Sequence, residues 1–368
     1  MNDLSRSVTV PLRLLTTVLM IYVLFKKGNI FKTGTLNSRL IIIIFYIFWI
    51  LYFFKVLFHF IYNYPLERNW FEYIFYSINF TILPFLVFSK INFNVYKNII
   101  LDSIIFSGFA LGLVTIYLYG NILLLGVGRI SMAKYIDPSF TEVLSPLALS
   151  YGGALTLALC FYKIIFNRGE LSKAKLLYLI STIILAAIMF LLGASRGSVL
   201  ALFTSLVLLL IYSRGSNFGF LIISLLFIVP VFIWGVNASG SSVFSRVFTS
   251  LENKSLTERE ILWIDAWNEF IKHPIFGGRI EIDFYPHNIY LEVLMSTGFI
   301  GFSLFSTILF MGIRKVHKLS FKNTDFVWVY IILVQGMCHH LFSGAIYFSI
   351  LVFFPLGLIY SMKKNIKR

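Results

Sequence analysis

"LIIIIFYIFWILYFFKVLFHFIY" runs from Leu40 to Tyr62. About 20 apolar residues suffice for a helix to cross the roughly 30 Å hydrocarbon core of a bilayer, and this stretch meets that length. Its one formal charge, Lys55, lies toward one end. Comparable runs recur along all 368 residues, of which 58% are hydrophobic, 18% aromatic and only 13% charged. The mean hydropathy of +0.85 is outside the range of a soluble domain. Backbone groups left unpaired in lipid are too costly, so the spans must be helices, and the alternating ten-residue pattern of a membrane barrel is missing. The expected fold is therefore all-α: a polytopic membrane bundle of about 11 transmembrane helices, within a range of 10–12. The spans are expected near 8–25, 39–62, 70–88, 98–119, 142–166, 174–193, 197–213, 217–236, 287–313, 325–341 and 345–361. The first lacks a small-residue cleavage site and reads as a retained helix.

The formal net charge of +15 invites a nucleic-acid reading, but its distribution opposes one. Lys26, Lys27, Lys32 and Arg39, then Arg314, Lys315, Lys318 and Lys322, then Lys363, Lys364, Lys367 and Arg368 all fall on the same side of an alternating topology. Most of the 16 acidic residues fall on the other. This is the positive-inside bias, which puts the C-terminus in the cytoplasm and the segment 237–286 outside. No nucleic-acid partner is needed. Cys160 and Cys338 lie in apolar spans without metal-type neighbours and read as packing residues.

Most loops are short. Residues 120–141 form a medium external loop, and 237–286 a long one, a length that usually carries function. The expected division is 1–236 for helices one to eight, 237–286 for the external loop, and 287–368 for helices nine to eleven with a basic tail. Within the loop, "TEREILWIDAWNEFIKHPIFGG" repeats apolar residues at helical spacing. Thr257 can cap it, and His273-Pro274 and Gly277-Gly278 stop it. Such an amphipathic helix lies on a membrane surface or caps a bundle.

Four features face the external side under this topology. Arg196, in "GASRGS", stands where one span ends and the next begins, next to Ser195. An arginine at a helix N-terminus is suited to an anion, while the plain alternative is a snorkelling interfacial residue. Arg259, between Glu258 and Glu260, is either an anion contact or a surface residue paired with its neighbours. Arg246 is a further basic candidate in the loop. His287, with Asn288 and Tyr290, reaches the membrane boundary. Its ordinary pKa near 6.5 suits acid or base work, while the alternative is an interfacial ring with Asn288 capping the helix. Glu292, a turn and a half into the span, needs a basic partner or a polar cavity. Two other patterns carry little. Ser195 with His339 and His340 imitates a protease pair in composition only. Adjacent His339 and His340 point apart on a helix and make a poor chelate, so no metal or cofactor is expected.

The order "SRGS", then "EREILWIDAWNEFIKHPIFGG", then "PHNIYLEVLMSTGFIG" resembles the bacterial O-antigen ligase and O-antigen polymerase superfamily across residues 193–301. Two departures stand out. The two glycines of "HPIFGGRI" are adjacent, and Ser296 occupies a position where many members carry Glu, so the role of Glu292 stays open.

The resemblance implies glycan transfer from an undecaprenyl-pyrophosphate carrier on the outer face of the bacterial inner membrane. It implies that Arg196 and Arg259 contact the donor pyrophosphate and that His287 orients or deprotonates the acceptor hydroxyl. Ser195, Arg246, Asn288, Tyr290 and Glu292 are expected to line the substrate site. The expected activity is a metal-independent, inverting glycosyltransferase that polymerises lipid-linked repeat units into O-antigen or capsular polysaccharide. The alternatives are ligation of the glycan to lipid A–core and, from another class, a lipid-linked glycan flippase. Gathering of polar groups at one face argues against a path through the spans. A chain-length regulator is a candidate partner alongside membrane lipid.

Overall fold

The computed structural model describes residues 2–26, 36–124, 130, 143–193, 195–213, 258–282 and 285–362. Among these the chain is all-helical, with no strand. Its helices are α1 (Asn2–Lys26), α2 (Leu36–Ile61), α3 (Trp70–Ser77), α4 (Leu83–Lys90), α5 (Phe93–Leu124), α6 (Pro146–Phe166) and α7 (Lys173–Gly193). They continue with α8 (Arg196–Tyr212), α9 (Glu258–Lys272), α10 (Ile289–Ser320), α11 (Val327–Phe342) and α12 (Ile350–Ser361). A π turn over Ile78–Ile82 joins α3 to α4, so the two form one span. Seven helical stretches among the described residues are long and apolar enough to cross a membrane: Arg39–Ile61, Trp70–Lys90, Phe93–Asn121, Pro146–Phe166, Lys173–Gly193, Ile289–Ser320 and Thr324–Phe342. All seven coincide with expected spans. The helices α8 and α12 are shorter apolar segments at two more expected positions. The expected span 217–236, Arg246, Thr257, most of the loop 120–141 and the basic tail lie outside the described residues.

The chain forms two compact units, interleaved in sequence. The first comprises Met1–Val95, Ser255–Leu319 and His340–Arg368. Its centre is aromatic. Phe45 of α2 stacks on Phe85 of α4 at 4.0 Å between ring centroids, and Phe353 of α12 meets Phe45 edge-on at 5.7 Å. Such pairs add about 0.5–1.5 kcal/mol each to the gain from burial. Tyr360 of α12 donates its hydroxyl to the Ile308 carbonyl of α10 at 2.8 Å.

The second unit comprises Tyr96–Lys254 and Ser320–His339. Ala154 and Leu157 of α6 pack on Ala186 and Phe190 of α7. Small residues suit this role, because helices in lipid associate through close packing and not through exclusion of water. Polar groups add fixed points: Gln335 Nε2 donates to Ser205 Oγ at 2.9 Å and to the Ala154 carbonyl at 3.2 Å. Lys163 of α6 pairs with Asp102 of α5, which gives two charges in apolar helices a mutual partner.

Candidate functional site

The helix α10 begins where the sequence reading places a return to the membrane. Asn288 is buried, and its Oδ1 accepts the backbone N–H groups of Tyr290 at 3.0 Å and Leu291 at 3.3 Å. Those donors would otherwise be orphaned at a helix start. Asn288 is therefore spent on capping. Its neighbour His287 has a positive φ of 56°, a left-handed conformation that few residues other than Gly, Asn and Asp adopt readily. Its imidazole packs against Tyr285, with ring centroids 4.5 Å apart. Burial, with the Arg259 charge second, pushes the imidazole down to about 4. The shift moves the ring away from its ordinary value near 6.5 and toward the neutral form. His287 is neutral at working pH and accepts hydrogen bonds more readily than protons.

Arg259 and Trp263 stand four residues apart on α9, so they share a face. Trp263 Nε1 donates to the Pro286 carbonyl at 2.9 Å, tying α9 to the segment that presents His287. Arg259 Nη1 donates to the Phe342 carbonyl at 2.7 Å, at the C-terminal end of α11, where the helix dipole favours a cation. The arginine stays exposed. This contact joins the start of α9 to the end of α11.

The break in α10 explains the glycines. By its apolar run alone, 287–313 reads as one continuous span. Instead Gly298 has φ 63° and interrupts the helix. The turn after α9 docks into the gap: Gly278 N donates to the Met295 carbonyl at 2.8 Å, and the carbonyls of Pro274 and Ile275 accept from Phe299 N at 2.8 Å and Ile300 N at 3.3 Å. Gly277, with φ 73°, packs directly on the broken backbone, where a Cβ would overlap Ser296, Thr297 and Gly298. Lys55 of α2 donates to the Gly277 carbonyl at 2.8 Å. Lys55, the one formal charge of the first quoted span, thus has a structural partner.

The same unit holds a buried polar network. Glu281 accepts from the Tyr73 hydroxyl and from the Tyr347 hydroxyl, the latter at 2.9 Å. Burial raises the Glu281 carboxyl above the usual carboxylate range, while the two tyrosine hydroxyls act in the opposite sense. Arg68 lies close enough to act on Glu281 electrostatically and is ion-paired with Glu72 at 3.5 Å. Glu292 is fully buried in the first turn of α10 and accepts from Ile346 N at 2.9 Å. No ion pair reaches it among the described residues, so of the two surroundings expected, a basic partner or a polar cavity, the first is not found there. Its second oxygen, Oε1, and the buried Tyr52 hydroxyl have no hydrogen-bond partner among the described residues. Tyr290 is half-buried beside Phe305, 6.2 Å between ring centroids.

In the second unit, Arg196 is exposed at the first position of α8. The turn before it is fixed by serines. Ser195 N donates to Ser150 Oγ at 3.2 Å, Ser150 Oγ and Ser198 Oγ are 2.5 Å apart, and Ser198 Oγ donates to the Ser195 carbonyl at 2.7 Å. Ser195 makes no side-chain cap bond, so the helix start keeps backbone donors beside the guanidinium. His339, in the same unit, packs edge-on to Tyr151 at 4.3 Å. Among the described residues no cluster of His, Cys, Asp and Glu is arranged to hold a metal ion.

Sequence reading missed Glu281, Tyr73, Tyr347 and Arg68. Tyr73 and Glu281 are 208 positions apart, and nothing local marks either one. The signal available was the carboxylate of Glu281 in "RIEI", three residues past Gly278 and between two isoleucines.

Residues 181–306 match the family model described as O-antigen ligase, which supports assignment to the O-antigen ligase and polymerase superfamily. No curated protein and no solved structure matches the chain. The matched segment, about a third of the chain, contains α8, α9, the docked turn and the start of α10.

Proposed function

We propose that this chain, which carries an O-antigen ligase family domain over residues 181–306, is a polymerase of lipid-linked glycan repeat units, with undecaprenyl pyrophosphate as the carrier. O-antigen ligase or polymerase-type glycan processing is what the family supports, and the seven apolar helices make this a membrane protein. The observation that carries the finer reading is the pairing of an exposed arginine with a neutral histidine on one rigid frame. Trp263, one turn beyond Arg259 on α9, bonds to the carbonyl of Pro286, the residue before His287.

In this reading the acceptor hydroxyl attacks the anomeric carbon from the face opposite the pyrophosphate, and the bond from that carbon to the phosphate oxygen breaks. Pyrophosphate is already a good leaving group, so the protein need only stabilise its charge and align the nucleophile. Arg259 is assigned to the leaving phosphates, as is Arg196 from its place in the Ser-Arg-Gly turn. His287 accepts a hydrogen bond from the acceptor hydroxyl and orients it. A base near 4 is too weak to take a proton from a resting alcohol. It is strong enough once that oxygen has bonded to the anomeric carbon and become positively charged. Proton transfer is therefore late. The reaction inverts the anomeric centre and needs no metal. Ser195, Arg246, Asn288, Tyr290 and Glu292 remain the proposed substrate-lining set, with Asn288 and Glu292 acting through the shape of the α10 start.

A flippase would need charges along a path through its helices. Lys55, Lys163 and Asp102 instead have structural partners, which favours chemistry at one face. Gene deletion followed by gel analysis of the surface glycan distinguishes the two transferase types. Loss of a polymerase leaves a single repeat unit on the core. Loss of a ligase leaves bare core with polymer still on the carrier.

A further inference from the structure

The turn that docks into α10 does so inside a membrane span. Its bonds to Met295, Phe299 and Ile300 fall within the apolar stretch Ile289–Ser320. The basic residues Arg314, Lys315 and Lys318 mark the other lipid boundary of that helix. From Gly298 to Arg314 a helix rises about 24 Å, less than the roughly 30 Å of hydrocarbon. The break, and the turn seated in it, therefore sit below the nearer boundary.

The turn is built for that depth. Non-helical backbone survives in a membrane only where its polar groups are satisfied by protein. Pro274 has no N–H to satisfy. The carbonyls of Pro274, Ile275 and Gly277 all accept hydrogen bonds, Gly277 N donates to the His273 carbonyl at 3.0 Å, and Gly278 N donates to Met295. The side chains point the other way: Ile275 and Phe276 are each 60% exposed. They adjoin Phe299, 64% exposed on the spanning helix itself, so the two surfaces are continuous. On α9 the stripe continues through Ile261, Ile264, Trp267 and Ile271, all exposed. Contiguous apolar surface on this scale marks a binding face.

We propose that the His273–Gly278 turn and the outward stripe of α9 form a membrane-inserted surface, with Ile275 and Phe276 among the lipid chains of one leaflet and α9 lying at its boundary. The occupant is bilayer hydrocarbon, because the turn is bonded to the lipid-exposed part of a spanning helix. This does not depend on the reaction proposed above.

The test is spin labelling of Ile275→Cys, Phe276→Cys and Arg279→Cys proteins, each in phospholipid vesicles. The native Cys160 and Cys338 are buried and can be replaced by Ala. Labels at 275 and 276 are expected to collide with oxygen in preference to a water-soluble nickel chelate, with the opposite preference at 279. Equal chelate access at 276 and 279 would overturn the proposal. So would protection of 275 and 276 from both reagents, which would mean that a protein covers the face. Native Trp267 gives a second reading without labels. The fluorescence quenched by chain-brominated phospholipids should fall on comparing wild type with Trp267→Phe, and unchanged quenching counts against insertion of α9.

Discussion

His287 shows how much of this site is decided by backbone. Its imidazole is aimed by a left-handed φ, by Asn288 capping the helix just behind it, and by Trp263 holding Pro286 just ahead. His287→Asn suits the same backbone and should keep the melting temperature while abolishing polymer formation, which separates the ring's chemistry from its fold role. The pH response has a definite sign. The folded value, about 4, lies below the unfolded value near 6.5, so the histidine's contribution to stability is complete above pH 6.5 and is lost as pH falls toward 4. Thermal unfolding followed from pH 7 to 4 should show this loss, and His287→Gln should flatten part of it. Asn288→Ala should cost about 1 kcal/mol, read from the same unfolding curves, as loss of an N-cap usually does. At this scale the starts of α8 and α10 and the Asn288 cap were legible in the sequence, because Gly, Pro and Asn announce them. Glu281 was not, because its partners come from distant segments, Tyr73 from α3 and Tyr347 from the short turn before α12, and burial alone makes it unusual.

At the scale of elements, the exchange between the α9 turn and the α10 break fixes the site's geometry. Apolar runs revealed the spans readily, since length in hydrocarbon constrains sequence so tightly. They could not reveal a break, because Gly298 sits in an apolar context that reads as helix on either side. The adjacent Gly277-Gly278, noted as a departure, makes sense here: the first takes the left-handed φ and the second donates to Met295. Gly298→Ala should cost at least about 1–2 kcal/mol for the left-handed backbone alone, with further loss from overlap with Gly277 and Ile275. Thermal unfolding in detergent measures this, with Gly169→Ala as the comparison, since that glycine has open space around it. Lys55→Met keeps the apolar stem but loses the bond to the Gly277 carbonyl. It should loosen the turn, which hydrogen exchange at residues 273–278 would report as faster.

For the whole molecule, the central claim is glycan transfer driven by charge stabilisation and alignment. It assigns charge stabilisation to Arg196 of α8 and Arg259 of α9, and alignment of the acceptor to His287 ahead of α10. Fold class followed from composition, because 58% hydrophobic residues in long runs leave no soluble alternative. The interleaving of two compact units did not, because it depends on which helices pack together and not on their order along the chain. The most direct test is to reconstitute purified protein in vesicles with lipid-linked repeat units and no transmembrane gradient, and to follow glycan length. Wild type should form new glycosidic bonds and lengthen the glycan. Arg196→Ala and Arg259→Ala should each slow this by about 10²–10³ with unchanged melting temperature, by comparison with loss of a single charge-stabilising donor. Lengthening at the wild-type rate by folded Arg259→Ala and His287→Ala proteins, or no new bond formed by wild type, would contradict the account.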